Sequence, residues 1–336
     1  MRLVSLATAV PEPSWTQAEC WQSLRQSHHI NALKPRSLDL LEKVLLGNSG
    51  IERRHFASHR LEDIFDRDAQ ALNETFEREA TALAARALRQ ALAQADAADV
   101  DALFVCTCTG YLCPGLSSHI AEATNLPAAT HLLDHTGAGC GAAIPTLRAA
   151  SHYLAAHPTH RVAVVAVEMC SAAFYVSDDP GVLISLCLFG DGAAAAILDA
   201  SDASGWRFSD FTTLHRPEER EKIRFVNREG RLCNQLHRSV PEVAAAAVQS
   251  LYPATSGARL ISHAAGRDVF AAIRSHLPDQ PLAETAEVLR TRGNMSSPSV
   301  LHALEIALNS SSGVPDKLWL ASFGAGFSCH GCLLQR

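Results

Sequence analysis

Apolar positions fall into two kinds of run that alternate along the chain. Arg161 to Glu168 (RVAVVAVE) is apolar on both alternate sets of positions, the pattern of a strand covered on both faces. Ala102 to Cys108 and Ala193 to Leu198 read the same way. Between them the apolar spacing is helical. Phe76 to Ala95 predicts a helix with Leu83, Leu88 and Leu92 inward, and Leu116 to Thr124 a shorter one. Leu132, Leu133 and Asp134 read as the end of a strand. The helix after Cys140 runs to about Ala156, with Ile144, Leu147, Ser151 and Leu154 in step.

A second series follows. Strands are predicted at Trp206 to Thr213, Arg259 to His263, Lys317 to Ser322 and Ser328 to Leu334. Helices are predicted at Pro241 to Leu251, Gly266 to His276 and Ser297 to Leu308. The chain is therefore α/β. The two series resemble each other. Cys140 opens a turn, a helix and the strand from Val162. Asn294 opens a turn, a helix and the strand from Leu318. Pro145 and Pro298 both fall in first helical turns, where proline is tolerated. This predicts an internal duplication, with halves at residues 1–200 and 201–336, and puts Cys140 and Asn294 on equivalent turns facing one site.

Composition narrows the function. Of 336 residues, 47% are hydrophobic and 19% charged, so a large core can form. The net charge of -6 argues against a nucleic-acid surface. Glu218 to Lys222 is a mixed-charge run that reads as a solvated loop. The ten cysteines form no disulfide framework, and the Cys329–Cys332 pair lacks the second pair a structural zinc needs. No metal and no bound cofactor are expected. Reduced cysteines point to the cytoplasm. No signal peptide is visible, and no apolar run approaches the ~18 residues of a membrane span.

Cys140 is the first candidate for chemistry. It lies in Thr136-Gly-Ala-Gly-Cys-Gly-Ala-Ala, between a strand and a helix. A helix N-terminus favours thiolate and predicts a lowered thiol pKa. Gly137, Gly139 and Gly141 let a substrate approach the backbone. A small buried hydrophobe explains a lone cysteine equally well. "LFGDGAAAA" lacks the Lys-Ser/Thr of a phosphate loop and reads as a structural turn.

Six ordered motifs decide between these readings: "GAGCGAA", "VEMCSAAFY", "LFGDGAAAAIL", "HAAGRDVF", "RGNMSSPSVL" and "SFGAGF". In this order they resemble the thiolase-fold condensing enzymes. Within these, the resemblance is to type III polyketide synthases of the chalcone and stilbene synthase kind, with ketoacyl-acyl carrier protein synthase III close behind. It covers roughly Val4 to the C-terminus. It implies a duplicated, five-layered αβαβα fold and a homodimer. It implies a catalytic trio of Cys140 as nucleophile with His263 and Asn294. A thiolate takes an acyl group from a thioester. Imidazole and amide then hold the oxyanion of the enolate that attacks it, where a carboxylate would repel it. Taken singly, His263 fits a satisfied core histidine and Asn294 a turn or cap residue.

The resemblance also places substrate residues. Phe174 matches a gatekeeper phenylalanine. The second gatekeeper falls at Asn234, whose smaller side chain implies room for a longer chain. Cys113 matches a position that crosses the dimer interface toward the partner's tunnel. Ala325, with Gly326, stands where type III enzymes carry proline, and its N–H can serve an oxyanion hole. The basic cluster that grips coenzyme A would fall at Leu41, Val44 and Asn48, none of them basic, although Lys43, Arg53 and Arg54 are close. This favours acyl chains delivered on the phosphopantetheine arm of an acyl carrier protein, with Arg53, Arg54, Arg60 and Arg216 as its basic rim. The expected activity is a ketosynthase that joins carrier-bound β-keto chains into an α-pyrone antibiotic. Its alternatives are a coenzyme A-dependent type III polyketide synthase using malonyl units and a synthase III-like initiation enzyme. A thioester hydrolase or acyltransferase, and a non-catalytic partner subunit, are further readings; the intact trio argues against the last.

Overall fold

The computed structural model describes residues 1–65, 67–253, 257–310 and 313–336. In chain order its strands are β1 (Arg2–Ala9), β2 (Ser14–Thr16), β3 (Arg53–His55), β4 (Ala102–Thr107), β5 (His131–Thr136), β6 (Arg161–Glu168) and β7 (Gly192–Asp199), then β8 (Arg207–His215), β9 (Ile223–Arg228), β10 (Arg231–Leu236), β11 (Arg259–Ser262), β12 (Lys317–Gly324) and β13 (Ser328–Gln335). Its helices are α1 (Gln17–Gln26), α2 (Pro35–Leu45), α3 (Glu62–Phe65), α4 (Ala69–Gln94), α5 (Leu116–Thr124) and α6 (Ala143–Ala156), then α7 (Pro180–Leu188), α8 (Val240–Leu251), α9 (Arg267–His276), α10 (Ala283–Arg292) and α11 (Ser299–Leu308).

Nine of the strands join in the order β11-β12-β13-β8-β1-β7-β6-β4-β5. The order is nearly a palindrome about β8 and β1, whose short antiparallel register pairs Arg2 with Arg207. In each arm a parallel pair lies outermost and antiparallel pairs lie toward the centre.

The two-sided apolar runs explain the layers. On β4, Phe104 and Cys106 face a central core, and Leu103 and Val105 face an outer one. On β6, Val162, Val164 and Ala166 face inward, and Ala163, Val165 and Val167 outward. β12 repeats this with Leu318 and Leu320 inward and Trp319 and Ala321 outward. The central core is filled by α6 and α11. α4 and α5 cover one outer face, α8 and α9 the other. Helix, sheet arm, helix pair, sheet arm and helix make five layers, the thiolase fold. A fourth cluster, from α1 to α3 and α7, caps the end where Cys140 lies.

Several elements differ from the predicted ones. The helix predicted from Phe76 starts at Ala69, capped by Asp68, whose carboxylate accepts from Ala71 N. The Glu218 run forms a short 3-10 turn, Pro217–Lys222. β1, the β9–β10 hairpin, α1, α2, α7 and α10 were not predicted. The hairpin mixes polar and apolar residues on both faces, and α10 has six charged or polar residues among ten, so neither shows a clean period.

Candidate active site

Cys140 sits in a 3-10 turn, Gly139–Gly141, one step before α6. The β12–β13 turn presses on it from the other half. A Cβ on Gly324 would lie 2.7 Å from Gly141 N and 2.8 Å from Cys140 N, so only glycine fits there. Gly139 has φ +58°, and a Cβ on it would lie 2.9 Å from Ala325 N. The Ala325 peptide therefore lies beside the Cys140 turn, and Gly326 follows it. Ser322 Oγ donates to Gly141 O at 2.9 Å and ties the two turns together.

Asn294 is strapped in place by the LFGDG turn. Its N–H donates to Leu188 O at 2.9 Å, and Gly190 N donates to Asn294 O at 3.0 Å. Asp191 in that turn is fully buried and accepts from Ala57 N, Ser171 N and Ser171 Oγ. Burial pushes its carboxyl up to about 6. The motif is structural. Asn294 Nδ2 donates to Ala265 O at 3.0 Å, and Oδ1 accepts from Ser296 N at 2.8 Å. An amide carries two N–H donors, so one remains.

His263 follows the end of β11, its N–H donating to Ala321 O at 2.9 Å. Its ring packs edge-on against Phe323 at 5.4 Å. Its Nδ1 is buried and has no hydrogen-bond partner among the described residues. Burial pushes its pKa down to about 3, while the Ser296 carbonyl acts weakly the other way. The imidazole is neutral.

Ser296 joins these parts, and sequence reasoning missed it. Its Oγ lies 3.2 Å from Cys140 Sγ, 3.2 Å from Cys108 Sγ and 3.3 Å from Glu168 Oε1. Glu168, at the end of β6, was missed too. Its Oε2 accepts from Cys108 N, Thr109 N and Thr109 Oγ1 at 2.9–3.1 Å, and its Oε1 from Ser297 Oγ at 2.6 Å. The motif "NMSSP" held the signal: two hydroxyls beside Asn294.

The expected low thiol pKa is not found. Burial pushes the Cys140 thiol up to about 12. The Ser296 hydroxyl opposes this, and the Glu168 carboxylate adds to it. The closed site removes the water a thiolate needs, and that outweighs a helix N-terminus one step away.

A narrow apolar cavity adjoins Ser296. Phe174, Cys170, Val182, Phe189, Phe225 and Leu232 line it, with Asn234 and Ser185 as polar neighbours. Phe174 is buried and touches Phe56 edge-on. Asn234 opens no wide channel: its Nδ2 donates to Ser185 Oγ at 2.9 Å and closes β10 onto α7. Cys113 is exposed and lines no part of this cavity within one chain. Of the proposed rim, Arg54 fails. It is 1% exposed and donates to Gln17 Oε1, Leu186 O and Phe189 O.

A family model described as FAE1/type III polyketide synthase-like protein matches residues 8–249. The chain belongs to this family. This type III polyketide synthase-like chain is 28% identical to 3,5-dihydroxyphenylacetyl-CoA synthase of Streptomyces toyocaensis, over 99% of this chain and 90% of that one. It is 28% identical to 1,3,6,8-tetrahydroxynaphthalene synthase of Streptomyces coelicolor, over 97% and 90%. The crystal structure of that synthase superposes with a TM-score of 0.88 at 25% identity, covering 100% of this chain and 99% of the other. The phloroglucinol synthase of Pseudomonas fluorescens is 26% identical over 95% of both chains. The chain is thus a condensing enzyme of the type III polyketide synthase kind. No helix among its described residues is long and apolar enough to cross a membrane.

Proposed function

We propose that the enzyme is a coenzyme A-dependent type III polyketide synthase. Cys140 takes a starter acyl group from coenzyme A and extends it with malonyl units. The carrying observation is the convergence on one residue, Ser296: its hydroxyl meets the Cys140 thiol, its backbone N–H the Asn294 amide and its carbonyl the His263 imidazole, beside an apolar cavity.

The chemistry follows from the resting charges. Thiol and imidazole are both neutral. Cys140 Sγ forms a bond to the acyl carbon as its proton passes to His263, and the coenzyme A thiolate leaves and takes that proton. A malonyl thioester then loses CO2. Its enolate oxygen meets the remaining Asn294 N–H and the imidazole. The enolate carbon attacks the acyl group, and the Cys140 thiolate departs. The product is a thioester two carbons longer.

Carrier-bound chains are the weaker reading. Leu41 is fully buried in the cap, so its lack of charge reflects packing, not the choice of donor. Arg54 is unavailable as a rim residue. Lys43 and Arg53 are exposed and free to meet phosphates. One relative's name carries a coenzyme A ester, and another's describes α-pyrone synthesis: the polyketide synthase-like Pks18 of Mycobacterium tuberculosis is 34% identical over 31% of this chain. A homodimer belongs to the same proposal. β5 is an edge strand, with Leu132 37% and Leu133 38% exposed, and Tyr111 beside Cys113 is 77% exposed. A second copy would cover this face and bring Cys113 to its partner. Light scattering at micromolar concentration is expected to give a dimer, and a clean monomer would contradict it.

Mass spectrometry of products from a panel of acyl-coenzyme A starters with malonyl-coenzyme A tests the reading. Extended polyketides are expected. Free acid alone would indicate a hydrolase, and turnover confined to carrier-linked chains would restore the carrier reading.

A further inference from the structure

Behind the Ala325 turn runs a chain of hydrogen bonds that the chemistry above does not use. His330 on β13 pairs in register with Thr213 on β8. Thr213 Oγ1 lies 3.1 Å from His330 Nδ1, and His330 Nε2 lies 3.2 Å from Ser328 Oγ. Ser328 Oγ in turn donates to the Ala325 carbonyl at 3.0 Å. A serine hydroxyl has one proton, and here Ala325 O takes it. Ser328 Oγ is therefore the acceptor toward His330, whose Nε2 carries the proton. Nδ1 is then the acceptor, and Thr213 donates. Every donor points toward Ala325.

The surroundings support this direction. His330 is 7% exposed. Burial first, then His135, His215 and Arg148, push its pKa down to about 4, so the ring is neutral. A neutral ring has one donor and one acceptor, as a one-way chain needs. The same ring borders the nucleophile's turn. A Cβ on Gly141 would lie 3.2 Å from His330 Cδ2. His330 thus touches both sides of the cleft, through packing at Gly141 and through Ser328 at Ala325.

We propose that His330 is a positioning residue for acyl transfer: acting through Ser328 on the Ala325 carbonyl, it fixes the β12–β13 turn so that the Ala325 N–H, one peptide earlier, faces the thioester oxygen as Cys140 attacks. This rests on the reading of Cys140 as the acylated nucleophile. The effect is confined to steps that build negative charge on that oxygen.

Two rates at Cys140 separate positioning from general damage. Acylation by hexanoyl-coenzyme A passes through an oxyanion. Alkylation by iodoacetamide is a displacement at carbon and forms none. His330→Ala and Ser328→Ala are each expected to slow acylation by roughly 10- to 100-fold, less than outright loss of a donor, with alkylation within about twofold of wild type. His330→Gln, whose amide N–H can still reach Ser328, should recover much of the loss. The double variant should be no slower than the slower single, since both cut one chain. Unchanged acylation, parallel loss of both rates, or additive losses in the double variant would overturn the proposal. If His330→Ala does not fold, Ser328→Ala, which removes one oxygen, decides the matter. A wild type that takes no acyl group would instead sink the nucleophile reading itself.

Discussion

The two turns that meet at the active site differ in what their side chains do. The Cys140 turn is held by backbone. Small residues bring Gly324 and Ala325 against Gly139 and Gly141, with Ser322 Oγ as the side-chain tie across the seam. The Asn294 turn is strapped by backbone to the LFGDG turn but adds a layer of side chains: Asn294, Ser296 and Ser297 each make hydrogen bonds of their own, two of them to Glu168. The first turn must leave room for a tetrahedral centre, so nothing may project from it except the thiol. The second must hold donors at fixed positions, so its side chains are locked by others. Substitutions on the first turn should act through sterics, and those on the second through lost hydrogen bonds.

The largest effect is expected at the one side chain the first turn presents. Cys140→Ala should abolish acyl loading while the fold survives, since the change removes one sulfur. Acyl mass on that variant would assign the nucleophile elsewhere. On the opposite side, His263→Ala and Asn294→Ala should still load Cys140, more slowly for His263→Ala, but lose condensation by ~10²–10³. Acyl-enzyme should accumulate, as read by intact mass beside product formation. Normal product from either variant would remove that residue from the site.

The charge state of the thiol comes next. The Cys140 pKa is raised, so at neutral pH the thiol is protonated and the thiolate fraction grows as pH rises toward about 12. Alkylation by iodoacetamide should increase about tenfold per pH unit between pH 7 and 10. A rate that is flat from pH 6 upward would show a preformed thiolate–imidazolium pair.

The smallest effects sharpen the contrast between the turns. Gly324→Ala pushes a methyl into the Cys140 and Gly141 amides and should cost about 1–3 kcal/mol, with a fall in Tm. Ser296→Ala removes hydrogen bonds of ordinary strength, so about 1 kcal/mol is expected. It should change the ratio of loading to condensation more than it changes Tm. If Ser296→Ala lowers Tm more than Gly324→Ala does, the division into a turn governed by sterics and a turn governed by side-chain hydrogen bonds is wrong.

Much of the fold was legible because the central strands are buried on both faces. RVAVVAVE announced β6 at its observed ends, and the Cys140 and Asn294 helices followed from spacing. The hairpin and α10 were not legible, since their half-exposed surfaces show no clean period. At the site, Cys140, Asn294 and His263 came from motifs, but their link did not. Glu168 reads as the end of an apolar strand, and its role depends on meeting residues 107–109 and 296–297 in space. Arg54 looked like surface charge, yet it is buried because carbonyls at the end of α7 needed donors. The thiol pKa was misjudged for a related reason: local sequence shows the helix N-terminus but not the closure of the site around it.

The central claim is that Cys140 accepts acyl groups from coenzyme A and passes them to a malonyl-derived enolate. Intact-protein mass spectrometry after mixing the enzyme with an acyl-coenzyme A, followed by a chase with malonyl-coenzyme A, tests it most directly. The account predicts one acyl group per chain, mapped to Cys140, that disappears in the chase as a longer product forms. An acyl group that never appears, or that leaves only as free acid, would contradict it.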